Sequence, residues 1–131
     1  MPTVERLIYT GEKFSIEWYF TPNGRSQAKE YYDGLALEER AKAMALFKRM
    51  ADFGQIFDST KFTKETEKLY VFKPQPHRFF CFFVKGRRIF VVSAYQKQSK
   101  KTPPREIERA EDMRRQYLAR MKEGNYYGDE T

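Results

Sequence analysis

The stretch RFFCFFVKGRRIFVVSAY, residues 78–95, decides the fold. Two apolar segments, residues 78–84 and 88–95, flank the short connection Lys85-Gly86-Arg87. A connection of this length joins adjacent antiparallel strands, so the stretch predicts a β-hairpin. The first segment is apolar at successive positions, which indicates a central strand covered by helices on at least one face.

Two more strands are predicted before this hairpin. Residues 14–20 read as a strand that ends at the turn signal TPNG of residues 21–24. Residues 68–73 read as a second strand, which ends at the turn Pro74-Gln75-Pro76. We therefore expect a sheet of four strands.

Three helices are predicted from capping signals and apolar spacing. Ser26 is a candidate N-cap for a short helix that ends near Asp33, and Gly54 is a stop signal for a helix over residues 37–53. Thr102 is a candidate N-cap for the last helix. The face of the second helix that we expect to be buried consists of Leu37, Ala41, Met44, Phe47 and Ala51.

The order of these elements indicates the α+β class. We expect a small, mainly antiparallel four-stranded sheet in the order β-α-α-β-β-β-α, with its helices packed on one face. The length of 131 residues fits a single domain over residues 1–131. Its core is expected to cover about residues 14–122, with flexible ends on both sides.

The positive charge of the chain is concentrated in one segment. Residues 61–109 hold 13 Lys or Arg and four Asp or Glu, and no acid occurs between Lys68 and Arg105. A segregated charge of this kind attracts a polyanion. The acid-free window also contains eight aromatic residues, a combination that suits phosphates and bases together and indicates a nucleic-acid partner.

Composition excludes several other kinds of site. The single Cys81 cannot form a disulfide within the chain, and one His with one Cys cannot form a zinc cluster. We predict no metal and no cofactor. The first ten residues show no secretory signal, and the longest apolar run, residues 79–84, is too short to cross a bilayer. A soluble, cytoplasmic protein without membrane contact is expected.

The hairpin register predicts a site at one end of the sheet. Because the strands turn at residues 85–87, residues near 95–97 return beside residues near 76–78. The side chains expected to converge there are Lys73, His77, Arg78, Tyr95 and Lys97. The neighbouring cations expected to bind nucleic acid are Lys68, Lys100, Lys101 and Arg105.

Converging cations can stabilise the charge that develops on a phosphodiester in a transition state. The site lacks the carboxylate pair that binds two metal ions, so we expect any cleavage to be independent of metal. RNA is then the favoured substrate, because its 2′-OH supplies the nucleophile. Lys73 or Lys97 would be the base, and His77 or Tyr95 the acid or a stacking platform.

Each of these residues also has a structural interpretation that the sequence leaves open. Arg78 would then pair with a helix carboxylate, and His77 would be a solvated loop residue. Tyr95 would pack in the core, and the lysines of residues 97–101 would form a solvated run.

The chain resembles the RelE/ParE toxin superfamily, and more narrowly its phage-derived HigB-like branch. The resemblance covers about residues 14–122, and its most specific part is the segment YQKQSKKTP at residues 95–103. The other matching segments are Leu69-Tyr70, Lys73-Pro74, His77-Arg78 and Glu106-Ile107-Glu108. The sequence departs from the branch at Val71, where a glutamate is usual, and at Gln98, where a lysine is usual.

This resemblance implies a toxin that is neutralised by a cognate antitoxin. RelE-like members cleave mRNA on the ribosome without metal, whereas ParE-like members inhibit DNA gyrase. Arg78 matches the strand arginine that contacts the scissile phosphate, and Lys97 lies near a second basic residue of that site. We expect a metal-independent mRNA endoribonuclease. The alternatives are a ParE-like gyrase inhibitor and a nucleic-acid-binding phage accessory protein.

Overall fold

The sheet is built from six strands, and the computed structural model of the protein describes residues 5–127. The strands are β1 (Leu7–Thr10), β2 (Ser15–Trp18), β3 (Phe62–Lys64), β4 (Tyr70–Phe72), β5 (His77–Val84) and β6 (Arg88–Gln96). The helices are α1 (Gln27–Asp33), α2 (Leu37–Phe53) and α3 (Pro104–Lys122).

The α+β class is confirmed, but the sheet differs from the predicted one. Its strand order is β1-β2-β6-β5-β4-β3, and β2 pairs with β6 in parallel while all other pairs are antiparallel. The two additional strands, β1 and β3, have four and three residues and lie at the sheet edges. Strands this short carry almost no alternating pattern, so the sequence gives no usable signal for them.

The central hairpin forms as predicted. β5 and β6 pair along their whole length, from His77 with Gln96 to Val84 with Arg88. The connection turns at Gly86, which has a φ of 84°. Glycine adopts this left-handed conformation without the steric cost that a side chain would add.

Helices cover both faces of the sheet, not the single face that was expected. α1 and α2 pack on one face, in a core that includes Trp18, Phe47 and Phe79. α3 packs on the opposite face, over Phe82 and Phe90. Since β5 and β6 are apolar on both sides, each face needs cover from water, which explains the third layer.

The first two helices have the predicted ends. Ser26 caps α1, with its Oγ accepting from the Lys29 N–H at 3.2 Å, and α2 ends at Gly54, whose φ is 82°. The buried face of α2 differs from the expected one, because Leu37 and Ala41 are exposed. Apolar residues occur around most of this helix, so their spacing is compatible with more than one buried face. The residues that are buried are Ala43, Leu46, Phe47, Met50 and Ala51.

The last helix and the chain ends also differ. Pro103, not Thr102, is the N-cap of α3, and no side chain caps this helix. The packed core extends beyond residue 122, because Tyr126 is buried and its hydroxyl accepts from the Phe20 N–H at 3.1 Å. Residues 1–4 and 128–131, which belong to the ends expected to be flexible, lie outside the described residues.

Candidate nucleic-acid site

Four of the five predicted catalytic residues lie together at one end of the sheet. Arg78 on β5 pairs directly with Tyr95 on β6, within the predicted approach of residues 95–97 to residues 76–78, and a bulge between Phe80 and Cys81 sets this exact register. The Lys97 N–H donates to the Pro76 carbonyl at 2.9 Å, which holds Lys97 beside the start of β5. Lys73 follows β4. Burial is the main cause that lowers the pKa of its amine, and the charges of Arg78 and Lys97 lower this pKa further, so the three cations are close neighbours.

Arg78 presents an unoccupied edge of its guanidinium. The side chain lies on the α3 face of the sheet and is 9% exposed. Its Nη1 donates to Gln75 Oε1 at 3.1 Å and to the His77 carbonyl at 3.3 Å. Within residues 5–127, its Nε and Nη2 have no hydrogen-bond partner. Neither of these two atoms is fully buried. This edge is the part of arginine that binds an oxyanion with two parallel hydrogen bonds.

Arg78 is also not neutralised by a carboxylate. No described Asp or Glu lies within 4.0 Å of its guanidinium, whereas the more exposed Arg109 and Arg114 on α3 pair with Glu106 and Glu111. The structural interpretation of Arg78 as an ion-pair partner therefore fails for the described part of the chain. A desolvated cation without a counter-ion costs stability, and such groups concentrate at functional sites.

Lys73 and Tyr95 flank this guanidinium. Lys73 Nζ donates to the Ser59 carbonyl at 3.2 Å, and burial lowers the pKa of this amine. Tyr95 is half-buried, and its ring stacks on Phe80 with 6.0 Å between centroids. Burial raises the pKa of Tyr95, while the Thr102 hydroxyl and the Arg78 guanidinium oppose the rise. Tyr95 therefore packs in the core and reaches the site as well.

His77 does not join this group. Its side chain lies on the α1 and α2 face, opposite to that of Arg78, and is buried. Nδ1 lies 2.6 Å from the Tyr31 hydroxyl, and Nε2 lies 2.8 Å from Glu39 Oε1. Both ring nitrogens therefore have partners on the face of the sheet opposite to Arg78. His77 is not the solvated loop residue that the sequence left open, and its side chain does not join the cations.

Most aromatic residues of the acid-free window belong to the core. Because these rings are enclosed by other side chains, they cannot stack on bases, and that part of the sequence interpretation is corrected. The buried ones are Phe72, Phe79, Phe80, Phe82 and Phe90. Tyr70, Phe83 and Tyr95 are half-buried.

The four flanking cations are exposed around the site. Lys100 and Lys101 lie in the loop between β6 and α3, Arg105 lies in the first turn of α3, and Lys68 lies in the β3–β4 turn. None of them forms an ion pair with any carboxylate in residues 5–127. Their charges are therefore available to a polyanion.

Sequence reasoning missed two polar residues of the site, Glu65 and Thr102. The Thr102 hydroxyl donates to Glu65 Oε1 at 3.2 Å, which joins the β3–β4 turn to the loop before α3. The Glu65 charge acts on Lys73, Arg78 and Tyr95. Glu65 lies just before the acid-free window, and Thr102 was interpreted as a helix cap, so neither residue was predicted to belong to the site.

Metal-binding clusters and membrane-spanning helices are both absent from the part of the chain that the structure describes. Residues 5–127 contain no cluster of three or more His, Cys, Asp or Glu that could hold a metal ion. Within the same residues, no helix combines the length and apolarity that a membrane span requires.

Comparison with known proteins places the chain in a family. A family model described as Phage derived protein Gp49-like (DUF891) matches residues 30–115, about two thirds of the sequence. The chain belongs to the Gp49-like family. The match extends from α1 into α3, so it includes every predicted site residue. No curated protein matches the sequence.

The Gp49-like family is a family of RelE-like toxins, which agrees with the resemblance drawn from the sequence at the level of the superfamily. Membership makes an antitoxin the expected class of protein partner.

Proposed function

We propose that this Gp49-like protein is the toxin of a toxin–antitoxin pair and cleaves mRNA without a metal ion, as a HigB-like member acting on ribosome-bound message. The observation that supports this most is the buried Arg78 guanidinium, which has no carboxylate partner among residues 5–127 and keeps one edge unoccupied. A phosphodiester carries the charge and the paired oxygens that this edge requires.

The cations have distinct roles in this reaction. Arg78 binds the scissile phosphate and stabilises the negative charge that grows on its oxygens in the transition state, assisted by Lys97 and Lys73. Gln75 holds the guanidinium in place, since its Oε1 accepts from Arg78 while its Nε2 donates to the Thr60 carbonyl at 3.2 Å. The exposed lysines and Arg105 bind the flanking phosphates.

The RNA supplies its own nucleophile. The 2′-oxygen attacks phosphorus and forms the O2′–P bond while the P–O5′ bond breaks, which leaves a 2′,3′-cyclic phosphate and a 5′-hydroxyl. The Tyr95 hydroxyl donates the proton that the leaving 5′-oxygen requires. His77 takes no part, because its ring lies on the other face of the sheet.

Replacing Arg78 tests the proposal. We expect Arg78→Ala to keep the fold but to lower the single-turnover cleavage rate by about 100-fold or more, because the transition-state charge loses its main partner. Cleavage is measured by mapping RNA 5′ ends, and folding by circular dichroism. The matched control is Arg115→Ala, since Arg115 is exposed on α3 and pairs with Asp112.

A folded Arg78→Ala protein that cleaves at the wild-type rate would overturn the assignment. Parallel reactions with free mRNA and with ribosome-bound mRNA determine whether the ribosome is required. Absence of cleavage by the wild type in both reactions, together with altered DNA supercoiling by gyrase, would favour the ParE-like alternative. Weak, salt-sensitive RNA binding with neither activity would favour an accessory protein.

A further inference from the structure

Glu65 brings a carboxylate into the most cationic part of the molecule. It follows β3 directly, and its N–H donates to the Leu69 carbonyl at 2.9 Å, which closes the β3–β4 turn. Its Oε1 accepts from the Thr102 hydroxyl at 3.2 Å, across 37 residues of sequence. Thr102 lies beside Tyr95, and Tyr95 pairs with Arg78. Glu65 is therefore connected to Arg78 through contacts between neighbouring residues.

The carboxylate is close to the cations without being neutralised by them. Its charge acts on both Lys73 and Arg78, yet it forms no ion pair within 4.0 Å with any described Lys or Arg. Its Oε1 accepts instead from the neutral Thr102 hydroxyl. A carboxylate is one of the groups that serve as a general base for a hydroxyl proton.

We propose that Glu65 is the general base of the cleavage reaction and that Thr102 is its positioning residue; this inference rests on the proposed function. Glu65 takes the proton of the RNA 2′-OH as the O2′–P bond forms. The P–O5′ bond breaks, and the Tyr95 hydroxyl gives its proton to the 5′-oxygen. Glu65 ends protonated and Tyr95 ends as phenolate, and water returns both to their starting states.

Glu65 fits this role better than the lysines considered from the sequence. A lysine must first lose its own proton, and it would then no longer stabilise the phosphate. Lys73 is engaged as a donor, because its Nζ donates to the Ser59 carbonyl. With Glu65 as base, Lys73 and Lys97 both remain cations.

The charge of Glu65 acts on three groups of the site, which are Lys73 after β4, Arg78 on β5 and Tyr95 on β6. A general base must be deprotonated to act, so we expect the cleavage rate of the wild type to rise with pH over the acidic range.

The decisive variant is Glu65→Gln, which keeps the size of the side chain and removes the base. We expect its single-turnover cleavage rate to fall by about 100-fold to 10,000-fold and the acidic limb of the pH–rate profile to disappear. Binding of an RNA with a single 2′-deoxy substitution at the cleavage site should be unchanged or tighter. The matched control is Glu67→Gln, which removes a carboxylate from the same turn at an exposed position.

Two further variants keep the test valid if Glu65→Gln fails to fold. Glu65→Asp should retain the acidic limb at a reduced rate, because a displaced carboxylate is still a base. Thr102→Val should lower the rate by about tenfold, with unchanged RNA binding and a retained acidic limb, since it removes the hydroxyl that orients Glu65 and leaves the carboxylate itself in place.

The outcomes separate this inference from the function on which it rests. Cleavage by Glu65→Gln at the wild-type rate and with the wild-type pH profile would overturn Glu65 as base and leave the ribonuclease assignment intact. Loss of activity in Glu65→Gln through weakened RNA binding alone would also overturn it. A wild type that cleaves no RNA, on or off the ribosome, would overturn both.

Discussion

His77 and Arg78 are consecutive residues with different surroundings. Side chains alternate between the two faces of a strand, so the two lie on opposite sides of β5. His77 contacts Tyr31 and Glu39, whereas Arg78 lies on the face that α3 covers, where its guanidinium contacts Gln75. The tautomer with hydrogen on Nε2 satisfies both contacts of His77 at once, by donating to Glu39 and accepting from the Tyr31 hydroxyl.

This arrangement predicts a structural role for His77. We expect His77→Gln to lower the free energy of unfolding by about 1–3 kcal/mol, because buried hydrogen-bonding groups lose partners. The cleavage rate of the folded variant should stay within about threefold of the wild type. Urea unfolding and single-turnover cleavage check the two values. A large loss of cleavage with unchanged stability would instead support His77 as a proton donor in the reaction.

At the scale of elements, β6 continues beyond the end of β2, the strand that pairs with it on the side away from β5. β2 pairs with β6 only as far as Val91. Beyond it, the Gln27 side-chain amide donates to the Ala94 carbonyl at 2.9 Å and accepts from the Ala94 N–H at 2.7 Å. Gln27 thus takes the place of a neighbouring strand, which keeps β6 extended up to Tyr95.

Helix α2 offers a matched pair of phenylalanines for testing how the sheet is covered. Phe47 is fully buried against Trp18, Phe72 and Phe79, whereas Phe53, at the end of the same helix, is 68% exposed. We expect Phe47→Ala to cost about 3–5 kcal/mol of unfolding free energy, because it removes buried area and leaves a cavity.

The matched control, Phe53→Ala, should change the unfolding free energy by no more than about 0.5 kcal/mol. Chemical denaturation of the two variants under the same conditions provides the comparison. Equal losses in both variants would contradict the packing of α2 described above.

At the scale of the whole molecule, tyrosines in the second core determine the response to alkaline pH. Burial raises the pKa of Tyr126 to about 12, although the Phe20 N–H and the Arg6 charge act in the opposite direction. Burial also raises the pKa of Tyr19 and Tyr117 in the same cluster. An unfolded tyrosine titrates near pH 10, so the native state holds these protons more tightly than the unfolded state does.

Stability should therefore fall as pH rises from about 10 to about 12, because the unfolded state loses its tyrosine protons first. Tyr126 alone accounts for about 2–3 kcal/mol of this loss. Thermal unfolding measured at several pH values checks the slope. In Tyr126→Phe, the melting temperature should fall less steeply with pH, because one buried tyrosine proton is gone. This variant should also be less stable at neutral pH, since the Phe20 N–H loses its acceptor. A melting temperature that is constant over this pH range would contradict the burial of the cluster.

The sequence could predict those parts of the fold and site that depend on neighbours along the chain. Ser26 and Gly54 mark the ends of α1 and α2 because capping is satisfied within a few residues. β1 and β3 were not predicted, because three or four residues at a sheet edge leave no periodic pattern. The parallel pairing of β2 with β6 was not predicted either, because it joins segments about 70 residues apart in the sequence.

The sequence by itself determined the β5–β6 hairpin and the approach of residues near 95–97 to residues near 76–78, because a short turn places its two strands side by side. A bulge between Phe80 and Cys81 shifts the register by one residue, and this shift pairs Arg78 with Tyr95. The tertiary structure alone decided that Arg78 is buried with no carboxylate of residues 5–127 beside it, while His77 is enclosed on the other face. It also decided that Glu65 meets Thr102. These contacts join residues distant in sequence, so they depend on how the helices cover both faces of the sheet, and no local pattern encodes that packing.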